Sequence, residues 1–119
     1  MSSENDLAIF EAGISRQGEM LALHKMLQPN IGLITNIGEA HSDGFLTIAD
    51  KLEEKLSLFV GLDVLVYCKD HVLIDTQVNN ALKNKTFNNI YTWSSTTSSA
   101  DVFLYISMSI TRWSCYGKE

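Results

Sequence analysis

Pro29-Asn-Ile-Gly-Leu-Ile-Thr-Asn-Ile-Gly-Glu-Ala-His41 is the stretch whose reading decides the fold. Its middle, Ile31 to Ile37, is the kind of short apolar run that a buried strand shows. Pro29, the only proline of the chain, precedes the run and can end a helix before it. The run closes on the polar pair Thr35-Asn36, and a glycine-containing loop leads on to His41. A helix follows over Thr47 to Phe59, with Ile48, Leu52, Leu56 and Phe59 on one face. Its start, Thr47-Ile-Ala-Asp50, fits a capping box, with Asp50 placing negative charge in the first turn. Strand, loop and helix in that order make half of a β-α-β unit.

The pattern repeats outward. Leu7-Ala-Ile-Phe10 is a continuous apolar run and predicts a first buried strand. Gly18 to Leu27 places Met20, Leu23, His24 and Leu27 at helical spacing. Val64 to Tyr67 predicts a strand, Thr76 to Leu82 a helix, and Ile90 to Trp93 another strand. Short apolar strands alternating with helices predict an α/β fold, with a mostly parallel sheet covered by helices on both faces. From Asp101 to Thr111 apolar and other residues alternate with period two, which suits a half-exposed strand, antiparallel at the sheet edge near the C-terminus. The polar run Ser94 to Ser99 is a loop.

Composition narrows the function classes. The 119 residues suffice for one domain, and 45% apolar with 19% charged residues is ordinary for a globular protein. A net charge of −5 gives no basic footprint, so no nucleic acid is expected as a partner. No apolar run approaches the ~18 residues of a membrane span, and the polar Met-Ser-Ser-Glu-Asn-Asp start is no signal peptide. Cys68 and Cys115 form no CxxC pair and read as free thiols in a reducing compartment, hence a cytoplasmic protein.

The chemistry-bearing residues gather at strand ends, where open parallel sheets bind ligands. Glu11 follows the first apolar run directly. A carboxylate there can hold Mg²⁺ in a nucleotide-binding fold, or it can be a solvated strand-end acid. Asn36 ends the second strand and His41 lies in the loop after it. A loop histidine by itself carries no assignment, and none is given to His24 or His71. Lys55 lies on the helix after His41, with Lys51 one turn earlier on the same face. Such a lysine usually lays its stem over the core and solvates its amine. Burial beside a second cation would instead favour the neutral amine, which can react with CO₂ to give a carbamate. There is no GxxxxGK[ST] phosphate loop, no GxSxG, no HExxH and no zinc spacing.

Three stretches in order resemble the Mur ligase central, ATP-binding domain: Glu11-Ala-Gly through Gly18-Glu19, then Pro29 through Thr35-Asn36-Ile and Ala40-His41, then Glu54-Lys55, with Lys55 fourteen positions after His41. The resemblance covers about half the chain, and it is nearest the branch that adds D-alanyl-D-alanine to UDP-MurNAc-tripeptide. The wording also resembles a variant fused to an alanine racemase. The resemblance implies a P-loop-NTPase-like fold and an ATP- and Mg²⁺-dependent ligase of peptidoglycan precursor synthesis working through an acyl phosphate.

It also implies residue roles. Glu11 would bind the Mg²⁺ bridging the ATP β- and γ-phosphates. His41 would bind a second Mg²⁺, supported by Lys55 as its carbamate, which makes His41 and Lys55 the catalytic pair. Asn36 would line the cofactor site. Ser15 and Arg16 stand where the family often faces the muramyl substrate. The phosphate loop and the flanking domains of the family are not among these residues. The expectation is a single partial domain over 1–119, with 1–6 and 112–119 peripheral. It is read as a fragment truncated before its phosphate-loop strand, inactive by itself and open to self-association. Two alternatives stand beside it: a folylpolyglutamate-synthase-like ligase fragment, and a non-enzymatic interaction module that kept the fold.

Overall fold

The computed structural model describes residues 6–38, 44–83, 88–105 and 114–117. The first regular element is a helix, α1 (Glu19–Leu27). Gly18 precedes it with φ 86°, in the left-handed region that glycine enters without a Cβ clash. Pro29 then separates α1 from β1 (Ile31–Ile34). The next helix, α2 (Ile48–Ser57), carries the capping box read from its sequence. The Thr47 hydroxyl accepts from the Asp50 N–H at 3.1 Å, and the Asp50 carboxylate accepts from the Thr47 N–H at 3.0 Å. Then come β2 (Val64–Cys68), α3 (Val72–Lys83), β3 (Asn89–Ser94), β4 (Val102–Tyr105) and β5 (Ser114–Gly117).

Strands β1 to β4 lie side by side in chain order, each parallel to the last. The segment 101–111 therefore departs from expectation, because β4, drawn from it, runs parallel to β3 rather than antiparallel. The register supplies the reason. Only Trp93↔Val102 and Ser94↔Phe103 pair, so β4 starts beside the far end of β3 and runs on past it. A strand staggered in this way needs no long crossover back to the start of its neighbour. At the other side of β4, β5 pairs antiparallel.

Two further expectations are corrected. Leu7–Phe10 forms no strand: the segment has no regular structure, and Leu7, Ile9 and Phe10 are 73%, 87% and 63% exposed. An apolar run becomes a strand only where another strand pairs with its backbone groups, and among the described residues no strand pairs with this segment. The second correction concerns the helices, which among the described residues all pack on one face. Met20 of α1, Leu52 and Leu56 of α2, and Ile74 and Val78 of α3 join one buried cluster with Ile34, Leu65 and Tyr67. Right-handed crossovers explain this. The path β1-α2-β2-α3-β3 steps across the sheet in a single direction, so both crossover helices fall on the same side. The opposite face carries the row Leu33–Val66–Tyr91, in which Leu33 is 58% and Tyr91 54% exposed.

Gly32 lets the helical layer approach β1. A Cβ at this position would lie 2.6 Å from Leu62 Cδ1 and 2.7 Å from Phe59 Cδ1. Both side chains are buried in the turn that leads from α2 to β2.

Candidate functional site

The register aligns Ile34 with Tyr67 and Tyr67 with Thr92. The residues just beyond these, Thr35-Asn36, Lys69-Asp70 and Ser94-Ser95, therefore share the C-terminal edge of the sheet, where ligands of open α/β folds bind. Asn36 is exposed at this edge, and the next residue, Ile37, packs against the core.

Glu11 is exposed but is not a strand tip. It lies in an irregular segment whose alternate residues, Ala12 and Ile14, pack against the same core as Ile37. One apolar cluster thus anchors the segments that carry Glu11 and Asn36. His41 lies outside the described residues.

Lys55 is half-buried on α2, one helical turn from Lys51, which is only 6% exposed. Burial, and after it the neighbouring charge of Lys51, hold the Lys55 amine below the usual lysine range. Glu54, next to Lys55, turns the other way: its carboxylate accepts from the Met20 N–H at 3.1 Å, at the start of α1.

The second glutamate of the first motif has a structural task. Glu19 folds back over the preceding loop and accepts from the Ser15 N–H at 2.9 Å and the Arg16 N–H at 3.0 Å. The Ser15 hydroxyl also donates to it, at 3.0 Å. These bonds, led by the Ser15 backbone N–H, lower the Glu19 pKa and fix the turn into α1. Ser15 and Arg16 are exposed, and their backbone groups serve this turn.

Sequence reasoning missed a second cluster at the same edge. Asp70, just after β2, accepts hydrogen bonds from the hydroxyls of Ser94, Ser95 and Thr96 and from the Ser95 N–H. Hydrogen bonds from Ser94, then Thr96 and Ser95, hold its carboxyl well below the usual range. The signal, one aspartate after a strand and a Ser/Thr run 24 residues further on, has no pattern that sequence alone would link. Among the described residues, no three His, Cys, Asp or Glu side chains converge to hold a metal ion.

A parallel sheet with crossover helices on it and polar loops at its C-terminal edge defines an α/β domain. The Mur ligase middle domain model matches residues 1–113, and the chain belongs to that family. Among curated proteins, it is 34% identical over 113 residues to UDP-N-acetylmuramoyl-tripeptide--D-alanyl-D-alanine ligase of Rickettsia prowazekii (strain Madrid E), a match covering 88% of this chain and 24% of that protein. The ligase of the same name from Bacillus subtilis (strain 168) is 34% identical over 77 residues, 62% of this chain and 17% of that one. That of Treponema pallidum (strain Nichols) is 40% identical over 57 residues, 48% and 12%. The chain spans at most about a quarter of the length of these relatives. No solved structure matches it.

Proposed function

We propose that this chain is part of a cytoplasmic ATP-dependent ligase of peptidoglycan precursor synthesis, which joins D-alanyl-D-alanine to UDP-MurNAc-tripeptide. The reading is supported by the family match and by the name its relatives share. The structural observation that carries it is Lys55. The lysine singled out by motif is half-buried beside Lys51, and its basicity is lowered by both burial and that neighbour.

The residues present fit the cofactors in kind. Glu11 and Asn36 offer exposed hard oxygen donors, the type Mg²⁺ prefers. In its neutral form, which the lowered pKa favours, the Lys55 amine can attack CO₂, forming an N–C bond and releasing one proton. The carbamate is then an anionic oxygen donor on the side of α2. Bound Mg²⁺ would offset the repulsion between the triphosphate and a substrate carboxylate. With that repulsion reduced, the carboxylate can attack the γ-phosphorus, the bond to the β-phosphate oxygen breaks, ADP leaves and an acyl phosphate forms. The dipeptide amine then attacks the acyl carbon, forming the amide bond as phosphate leaves and the amine gives up a proton. Glu11, with Asn36 lining the cofactor site, would hold the Mg²⁺ of the phosphates, and His41, by motif, would join carbamylated Lys55 in holding a second Mg²⁺.

The test is substrate-dependent ATP turnover by a protein that carries this chain at the full length of its relatives. Phosphate release that requires both UDP-MurNAc-tripeptide and D-alanyl-D-alanine is expected. Release driven instead by a folate and glutamate would move the assignment to the folylpolyglutamate branch, and release with neither pair would favour an interaction module. No helix of the described residues is long and apolar enough to cross a membrane.

A further inference from the structure

Lys51 lies outside the motif stretches, and the chemistry above gives it no task. It is 6% exposed, and among the described residues no other charged side chain is buried. Burial strips a charge of its hydration, so lysine is almost never buried without a compensating partner. A lysine that only lays its stem over the core keeps its amine in water. An exposure of 6% leaves little room for that.

The position of Lys51 relative to Lys55 supplies a reason. The two stand four residues apart on α2, one turn apart on the same face, and Lys55 is half-buried. At this spacing Cβ atoms lie roughly 5–6 Å apart, well within reach of two lysine side chains. As two ammonium groups the pair repels, and like charges so placed destabilise a helix. A carbamate on Lys55 reverses the sign of one partner. When the Lys55 nitrogen attacks the carbon of CO₂, an N–C bond forms, one C=O electron pair moves onto oxygen and one proton passes to solvent. The product is an anion one turn from a cation. Salt screens a buried charge far less than an exposed one, and Lys51 is the more buried partner. Its ammonium has three N–H donors and no acceptor, so it can bond a carbamate oxygen with charge assistance.

We propose that Lys51 is a positioning residue: its ammonium pairs with the carbamate of Lys55, orients it and raises its occupancy. The proposal rests on the ATP-ligase reading above, which assigns the carbamate to Lys55.

Carbamate trapping tests it in the full-length protein that carries this chain. The protein is equilibrated with Mg²⁺ and graded bicarbonate, carbamates are methylated with an oxonium salt, and occupancy at Lys55 is read by peptide mass spectrometry. Lys51→Met keeps a buried stem and removes the charge. It should raise the bicarbonate needed for half occupancy at least about fivefold, more than the loss of an exposed ion pair would give. Lys51→Arg keeps the charge and should stay within about twofold of wild type, a rescue that a purely structural role for the lysine stem would not produce. Lys51→Gln is a second neutral variant and should shift as Lys51→Met does, so a folding defect in either does not decide the matter. Wild-type occupancy in the neutral variants would overturn the proposal and leave the ATP-ligase reading standing. A loss in Lys51→Arg equal to that in Lys51→Met would overturn it as well. If the wild-type protein carries no carbamate at Lys55 at any bicarbonate concentration, the assigned role of Lys55 falls and the proposal with it.

Discussion

Replacing Gly32 with alanine tests how closely the helical layer sits on β1. The new Cβ would meet Leu62 Cδ1 at 2.6 Å and the Phe59 ring at 2.7 and 2.9 Å. Carbon atoms prefer ~3.5–4.0 Å, so each contact is short by roughly 1 Å. Leu62 is 0% and Phe59 6% exposed, so neither can swing into solvent. Overpacking of this kind costs about 1–3 kcal/mol. The lost freedom of the unfolded chain returns about 0.4–1 kcal/mol, because Gly32 needs no left-handed backbone. The net expectation for Gly32→Ala is a loss of about 1–2 kcal/mol. For a domain of this size that lowers Tm by roughly 3–10 °C. Urea unfolding followed by circular dichroism measures it. Gly38→Ala is the control: among the described residues nothing lies within 4 Å of a Cβ there, so it should stay within about 0.5 kcal/mol of wild type. Leu62→Val in the Gly32→Ala background should recover part of the loss, since the two side chains would compete for one space. A Gly32→Ala variant as stable as Gly38→Ala would refute the packing of the α2–β2 turn onto β1.

Three further outcomes are expected. Thr47→Ala breaks the capping box of α2 and should cost about 1 kcal/mol in the same unfolding assay. Asp70 and Asp101 have pKa values lowered from 3.8 by their hydrogen bonds, so the native state holds fewer protons than the unfolded state as pH falls below about that value. Their stabilisation is present above it and lost on further acidification, and Asp70→Asn should therefore flatten the fall of Tm between about pH 5 and 2. For Lys55 the lowered pKa means that charging the native amine opposes folding, an effect relieved as pH rises from its native pKa toward 10.5. Its pH midpoint for acetylation, read by mass spectrometry, should lie below 10.5 and rise when Lys51 is changed to Met.

What could be read ahead of the structure was mostly local. The α2 helix, its Thr47–Asp50 cap and the β2 strand follow from periodicity and hydrogen-bonding chemistry within a few residues, and they stand where expected. That Lys51 stands one turn from Lys55 was also legible, because the two are helical neighbours; the partial burial of the Lys55 amine was not, since the sequence favoured a solvated one. Features that depend on a distant partner were not legible. Leu7–Phe10 has strand composition, but composition supplies no neighbouring backbone. The parallel direction of β4 depends on its stagger against β3, and the one-sided helical layer on the order in which strands are laid down. Asp70 and Ser94 meet only because β2 and β3 are adjacent. Glu19 belongs to a motif that suggested ligand chemistry, and the fold uses it to hold its own loop.

The central claim is that Glu11 and Lys55 belong to the catalytic site of an ATP-dependent ligase. It is tested most directly by ATP-dependent joining of D-alanyl-D-alanine to UDP-MurNAc-tripeptide, assayed in the full-length protein that carries this chain, with Glu11→Gln, Lys55→Met and the exposed Lys83→Met compared. The expected result is a loss of kcat of at least ~100-fold for Glu11→Gln and Lys55→Met, as removal of a group that stabilises transition-state charge produces, with Lys83→Met near wild type. Wild-type kcat in Lys55→Met would contradict the account.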